Sequence, residues 1–547
     1  MGFGFPVGPS DGNEDGTMAE VGTESTWLAA TLRRGQLAAR SDRSLVTLAL
    51  MLAMTVTSLE QTVVSTAMPT IIVSLKGLDI YPWVFSAYLL AATVSTPLYG
   101  KLADLLGRKR VLLFGLGLFA LGSVASGLAQ SMPQLIAMRT LQGLGAGAVG
   151  PIVLTLIGDL FTIEERAKIQ GLFSVIWGTS SLAGPALGGV ITDRLSWRWV
   201  FFVTVPFAAV AAWILVTKVN ETVKRREVLP IDWAGAGLLT AGSTVLLLAV
   251  LRGGGQTRSG GVALLTLAVV LLGLFIWRER RAADPILPID LLIRPHIAAA
   301  ILGSFLIGAL VFGIDTFIPL FVQGVKGGTA TAAGRTITPL FLTWALSVFI
   351  AAWFVGRLGY RRTAVFGSLV GLVGTLGLAL GAAFPEWSGP LFLAGNLIIG
   401  LGMGPVSLSQ ILAVQNSVPW SQRGAATAAV MFFRTMGGAL MVGLLGASLG
   451  MGLARRLADT PAAEIAAALR PETHAMLTPE RLAAVQAALG LSLRDVFLQM
   501  AGLAFLAVLC SLGYRGGRAS SHHDTGTGLD PEISTGDEGL GRTVVHD

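Results

Sequence analysis

Along this chain, long apolar runs alternate with short polar connections rich in Lys, Arg and Gly. Fourteen of the runs are long enough to form a membrane-spanning helix, which takes about 20 residues. They fall approximately at 45–74, 82–102, 111–130, 134–157, 168–191, 199–218, 232–252, 261–278, 297–322, 334–356, 363–384, 389–415, 424–449 and 496–514. The pattern predicts an all-α polytopic membrane protein. One connection, about 450–495, is much longer than the rest. Its Ala- and Leu-rich runs (Ala462 to Leu469, Leu482 to Leu489), split by Pro471 and Pro479, read as one or two amphipathic helices on the outer face.

Composition supports this reading and removes others. Hydrophobic residues make up 53% and charged residues 13% of the 547 positions, and the mean hydropathy is +0.70. A soluble domain carries about 25% charged residues. The net charge of +7 lies in short loops between apolar runs, which argues against a nucleic-acid partner. The lone cysteine, Cys510, excludes an internal disulfide framework, and the five histidines lack metal-ligand spacing. No metal and no cofactor is therefore expected. The chain has no P-loop pattern, so ATP is not the expected driver. The stretches 1–43 and 516–547 read as disordered cytoplasmic tails, with Trp27 to Arg40 able to lie on the membrane surface as an interfacial helix.

Basic residues set the topology. An even span count puts both termini on one side. A cytoplasmic placement gathers Arg33, Arg34, Arg40, Arg43, Arg166, Lys168, Lys218, Lys224, Arg225, Arg226, Arg278, Arg280, Arg281, Arg357, Arg361 and Arg362 inside, which predicts N-in and C-in. The loop Gly100-Lys101-Leu102-Ala103-Asp104-Leu105-Leu106-Gly107-Arg108-Lys109-Arg110 falls on the same face. Gly356 to Arg362 is a degenerate copy of it, eight spans later. If the two spans within 219–296 are an insertion, two six-helix halves remain, 44–218 and 297–515. The two basic loops then occupy equivalent places. Parallel halves of this kind are a transporter arrangement.

Four charged residues fall in mid-span, where a charge costs roughly 2.5–3.5 kcal/mol on insertion scales. Glu60 in the first span has two readings: a carboxylate locked in an ion pair that fixes helix packing, or a proton carrier. A carboxylate's proton affinity depends on burial and on a neighbouring arginine, so moving one of them between two states moves the proton. Asp315 occupies a similar depth in the first span of the second half. Pseudo-symmetry then places Glu60 and Asp315 on opposite walls of one central cavity. Arg139 and Arg434 are the mid-span basic residues, read either as helix-holding ion pairs or as partners in the proton cycle, with Arg434 a candidate counter-ion for Glu60.

Several motifs follow in order. The first span contains Leu59-Glu60-Gln61-Thr62-Val63-Val64-Ser65-Thr66-Ala67-Met68-Pro69. The fourth contains Arg139-Thr140-Leu141-Gln142-Gly143-Leu144-Gly145, and the fifth Gly184-Pro185-Ala186-Leu187-Gly188-Gly189. With the Gly100–Arg110 loop, Trp197-Arg198-Trp199 and Arg434-Thr435-Met436-Gly437-Gly438, these resemble the motifs of the major facilitator superfamily, nearest to its fourteen-span drug:proton antiporter branch. Glu60 stands where that branch usually has Asp. The resemblance spans about 45–515 and implies the major facilitator fold with two inserted spans. It also implies a proton-transfer role for Arg139, a gating role for Gly100, Asp104, Gly107, Arg108 and Lys109, and an antiporter role for Gly184, Pro185, Gly188 and Gly189.

The expected activity is proton-coupled export of lipophilic, often cationic compounds by a monomer in the cell (inner) membrane. The partners expected are the substrate, protons and the bilayer. Proton coupling falls to Glu60, Arg139, Asp315 and Arg434. Gln61, Gln142, Trp177 and Trp344 are the candidate cavity residues, although aromatic side chains on spans also serve as core or lipid-facing groups. The alternatives are the same fold exporting a lipid or siderophore, motivated by the 450–495 stretch, and a non-transporting receptor or enzyme, for which no catalytic constellation is found.

Overall fold

The computed structural model describes residues 18–514, apart from 162, 220–231, 253–257, 283–288, 419–422, 458–459, 461 and 469–476. Side chains are not described for 18–42 or for several helical positions, among them Lys101, Asp104, Arg166, Lys168 and Trp177. The expectations for Asp104 and Trp177, for Lys224, Arg225 and Arg226, and for the tail 516–547 therefore lie outside the described residues.

Among the described residues the chain is helical, without strands. The first half contains α1 (Met18–Leu75), α2 (Pro82–Leu106), α3 (Arg108–Gly127), α4 (Met132–Leu160), α5 (Ile163–Arg194), the short α6 (Trp199–Phe202) and α7 (Val205–Lys218). A hairpin of α8 (Trp233–Arg252) and α9 (Arg258–Glu279) follows, with the short α10 (Ile289–Leu292). The second half contains α11 (Pro295–Gly324), α12 (Ala330–Ala383), α13 (Ser388–Gln415), α14 (Arg423–Arg456), the short α15 (Ala462–Ala467) and α16 (Pro479–Leu512). Among the described residues, ten helices are long and apolar enough to cross a membrane. A helix closes its own backbone hydrogen bonds, and that is the condition for lying in hydrocarbon.

Helix starts follow local chemistry. The hydroxyls of Ser131, Thr329 and Thr478 accept from the backbone N–H groups of Gln134, Ala332 and Arg481, at 3.4, 3.2 and 3.4 Å. Asp232 caps α8 by accepting from Gly235 N at 2.9 Å. Arg278 Nε, near the end of α9, bonds both Asp232 oxygens at 3.2 Å and so closes the hairpin.

The sequence repeat is also a backbone repeat. The basic loop after α2 is reduced to one residue, Gly107 (φ 97°, ψ 142°), between Leu106 and Arg108. The 54-residue α12 breaks at Gly359 (φ 80°, ψ 170°), again after a leucine and before Tyr360-Arg361-Arg362. Positive φ is costly for residues with a Cβ, so glycine marks both corners.

Two expectations need correction. The stretch 1–43 was expected to be disordered apart from an interfacial helix over Trp27 to Arg40, and instead α1 begins at Met18 and runs on into the first span. Ala, Leu, Glu and Arg between Met18 and Arg40 are good helix formers, which favours continuation of the helix. Leu482 to Leu489 does not form a separate outer helix. It is the opening of α16, capped by Thr478 with Pro479 in the first turn.

The halves pack alike. In the first, α4 lies on α2 and α3, and α5 on α1; in the second, α13 lies on α12, and α14 and α16 on α11. Between halves, α5 meets α12, α2 meets α14 and α1 meets α11, while α8 leans on α2 and α14. One apolar core joins both halves at the end where α1 and α11 terminate; it includes Ile72, Tyr81 and Phe201 of the first half and Phe317, Phe321 and Phe497 of the second, with Tyr81 edge-on to Phe317 at 6.5 Å. At the opposite end a first-half core and a small second-half core around Ile301, Val414 and Val430 are separate, and Phe432 and Met436 of α14 join the former.

Candidate functional site

Glu60 is fully buried on α1 and faces α4. Its Oε1 accepts from Arg139 Nη1 at 2.5 Å. The same Nη1 donates to Gln142 Oε1 at 2.5 Å, and Arg139 Nε donates to the Val84 carbonyl at 3.3 Å. The Tyr88 ring lies 4.1 Å below the guanidinium carbon, and Phe201 closes the other approach at 5.9 Å. Gln142 Nε2 donates to Ser123 Oγ at 2.7 Å, and Ser123 is 3.1 Å from Thr204 Oγ1. A chain of polar contacts thus crosses the first half from α1 through α4 and α3 to Thr204 at the start of α7. Glu60 Oε2 makes no hydrogen bond within it.

This geometry supplies a conditional ion pair. Removing either partner leaves the other buried and uncompensated, which is costly in a low-dielectric interior. A proton on Glu60 would release Arg139 to Gln142 and to the aromatic faces that already hold it.

Asp315 lies at the seam between halves, where Ser65 Oγ of α1 donates to its Oδ1 at 2.9 Å. No ion pair to Asp315 occurs among the described residues. Ser65 is five residues beyond Glu60, about 140° around the helix at 100° per residue. Glu60 therefore faces the interior of the first half while Asp315 faces α1 from the second. The two carboxylates are not opposite walls of one space. Pseudo-symmetry speaks only to position along the helices and could not give their angular position.

Arg434 does not pair with Glu60. Its Nη2 donates to Gln410 Oε1 at 3.2 Å, inside the second half. Gln142, expected to line a substrate cavity, is fully buried and committed to Arg139 and Ser123. Trp344 is half-buried and stacks on Phe341 with centroids 6.4 Å apart, while Gln61 remains partly exposed.

The antiporter-motif glycines provide close approach. A Cβ at Gly184 would strike the Thr62 side chain, and one at Gly188 the Val63 carbonyl, so both seat α5 on α1. At Gly189 it would strike Ala330 and Thr331 of the other half. Pro185 lies inside α5 with its carbonyl over Gly334 of α12. Beyond the motif, Asp193 accepts from Ala330 N at 3.2 Å, Thr331 N at 2.9 Å and Thr331 Oγ1 at 2.6 Å. In the basic loop, Lys109 Nζ donates to the carbonyls of Val216 and Val219 at 2.9 and 2.6 Å, capping the end of α7 in its own half. Arg108 is half-buried and Gly100 partly exposed.

Known proteins resemble the chain in sequence and in fold. Residues 50–442 match the Major Facilitator Superfamily. The chain belongs to that superfamily. It is 37% identical over 414 residues to the multidrug transporter protein MdtP of Bacillus subtilis, covering 75% of each chain. It is 34% identical to multidrug resistance protein 3 of the same organism, covering 75% of this chain and 80% of that protein. The efflux pump dotC of Dothistroma septosporum is 31% identical over 73% of this chain and 70% of that protein. Among solved structures, a bacterial homologue of the lysosomal transporter Spinster superposes with a TM-score of 0.60, covering 86% of this chain and 98% of that one. Its 17% identity speaks to the fold alone. The chain is thus a multi-pass membrane transporter of the superfamily, similar to its multidrug-efflux members.

Sequence reasoning missed Tyr88, Ser65, Ser123, Thr204 and Asp193. Ser65 stands inside the first-span motif and the other four have none around them; each is a common residue whose role arises only from the helix facing it.

Proposed function

We propose that this transporter exports lipophilic cations from the cytoplasm in exchange for protons, across the cell (inner) membrane. The observation that carries this reading is the buried Glu60–Arg139 pair, with one carboxylate oxygen left unbonded. A proton entering from outside binds Glu60, weakens its hold on Arg139 and favours rocking of the halves. Asp315, with a hydroxyl as its partner at the seam, supplies negative charge for a cationic substrate or a second proton. If net charge moves, each proton driven by 100 mV supplies about 2.3 kcal/mol, enough for a substrate gradient of order fiftyfold.

Fourteen spans with both termini inside fit this cycle. They are obtained by counting α6 with α7 as one span, dividing α12 at Gly359, and adding α2, α5 and α8 to the long apolar helices. With that orientation the core shared by the halves lies at the outer end, the arrangement of an inward-facing state. The test is the proton flux itself. In inverted vesicles carrying an acid interior, adding ethidium should collapse the pH gradient only when the transporter is present, and Asp315→Asn should reduce the effect. Ethidium movement indifferent to a protonophore would refute the proposal.

A second cargo, a lipid, is favoured by one observation. At 34 residues, α14 and α16 are each about 51 Å long and outrun a hydrocarbon core of roughly 30 Å. Shortening their outer ends together with the intervening stretch should abolish lipid export and spare ethidium efflux. Unchanged lipid export would exclude this reading.

A further inference from the structure

Among the described residues, the interior of the second half holds a cation without an anion. Arg434 lies among α11, α13 and the end of α16, its backbone pressed against Gly308. It has one side-chain hydrogen bond, from Nη2 to Gln410 Oε1 at 3.2 Å, and no carboxylate partner among the described residues. Its Nε is buried without a partner, as are Gln410 Nε2 and Tyr514 Oη. With the Gln410 oxygen turned to the guanidinium, its NH2 must face away. It faces Tyr514, since a Cβ at Gly303 would stand 2.6 Å from Tyr514 Oη and 2.9 Å from Gln410 Nε2. Nearby, Ser511 and Ser368 pair at 2.8 Å, and Ser511 also donates to the Ala507 carbonyl at 2.9 Å, which uses the Ser511 hydrogen.

Among the three side chains Arg434, Gln410 and Tyr514, donors outnumber acceptors. The Arg434 Nε–H, the two amide hydrogens of Gln410 and the Tyr514 hydroxyl converge, with the phenol oxygen as the one acceptor in the group. The first half provides the contrast, because Arg139 there has Glu60. A positive, donor-rich and acceptor-poor cluster in a membrane interior lacks an anion. Arg434 is also partly exposed, which gives a ligand an approach that Gln410, fully buried, does not.

We propose that Arg434, Gln410 and Tyr514 form a binding site for an oxyanion, a carboxylate or phosphate group. The group would accept from Arg434 Nε, Gln410 Nε2 and Tyr514 Oη together. It comes either as a free anion from water or as the head of an amphiphile. Binding is separate from proton coupling and is read without transport.

The test uses the full-length protein in a maltoside detergent, titrated separately with inorganic phosphate and with decanoate and followed by thermal unfolding. The wild type should be stabilised by at least one of them. A response to phosphate alone identifies a free anion, and a response to decanoate alone an amphiphile. Tyr514→Phe, which keeps the ring and removes the hydroxyl, should weaken the apparent affinity roughly tenfold, the scale of one hydrogen bond to a charged group. Arg434→Gln should remove the response. No stabilisation of the wild type by either anion overturns the proposal. So does stabilisation that Tyr514→Phe leaves unchanged, and because that variant preserves the packing, this holds even if Arg434→Gln fails to fold.

Discussion

Replacing Asp193 by alanine should bias the transporter toward the state in which the end bearing the shared core is open. Asp193 lies in the last turn of α5 and adds, from the first half, a second acceptor to the N-terminus of α12, which Thr329 already caps. It accepts from two backbone N–H groups, at 3.2 and 2.9 Å, and from the Thr331 hydroxyl at 2.6 Å. Losing a capping acceptor costs about 0.5–2 kcal/mol. Asp193 is exposed, and solvent screening holds the figure near 1 kcal/mol. Because the contact exists only while the halves touch at this end, its loss should change the ratio of closed to open populations roughly fivefold. Spin labels at positions 79 and 326, both exposed near that end, would report the ratio as a distance distribution in a Cys510→Ser background. The long-distance fraction should grow in Asp193→Ala and grow less in Asp193→Asn. A distribution unchanged in a well-folded Asp193→Ala would refute the idea that this cap latches the halves.

Other substitutions separate packing from charge. Gly188→Val should unseat α5 from α1 by driving a side chain into the Val63 carbonyl, lowering stability by about 1–3 kcal/mol in a thermal unfolding assay. Arg139→Ala should cost about 3–5 kcal/mol by leaving Glu60 buried and unpaired, and adding Glu60→Gln should recover much of that loss. Asp315→Asn should fold normally and bind lipophilic cations at least tenfold more weakly, as measured by tryptophan quenching, because it removes the charge while sparing the hydrogen bond from Ser65.

The fold was legible because hydropathy and glycine act locally. Each apolar run carries its own requirement for a helix, and the Leu-Gly corners at Gly107 and Gly359 follow from backbone sterics alone. Glu60 and Arg139 were legible as intramembrane charges for the same reason. Their pairing was only one of several options, since a sequence carries no distances between helices. The choice between Arg139 and Arg434 as the partner of Glu60, and the placing of Asp315 opposite Glu60, both turn on that step. Each needs the rotation of one helix against another, which side-chain packing sets. Tyr88 and Ser123 had no signal of their own, and Gln142 looked like a cavity residue until its two neighbours accounted for both ends of its amide.

In the proposed cycle Glu60 carries the proton and not the substrate. In proteoliposomes, Glu60→Gln can be compared with the wild type in two modes: uptake of a fluorescent lipophilic cation driven by a pH gradient, and exchange of labelled for unlabelled cation without one. The account predicts that driven accumulation is lost while exchange continues. Gradient-driven accumulation that persists in Glu60→Gln would contradict it.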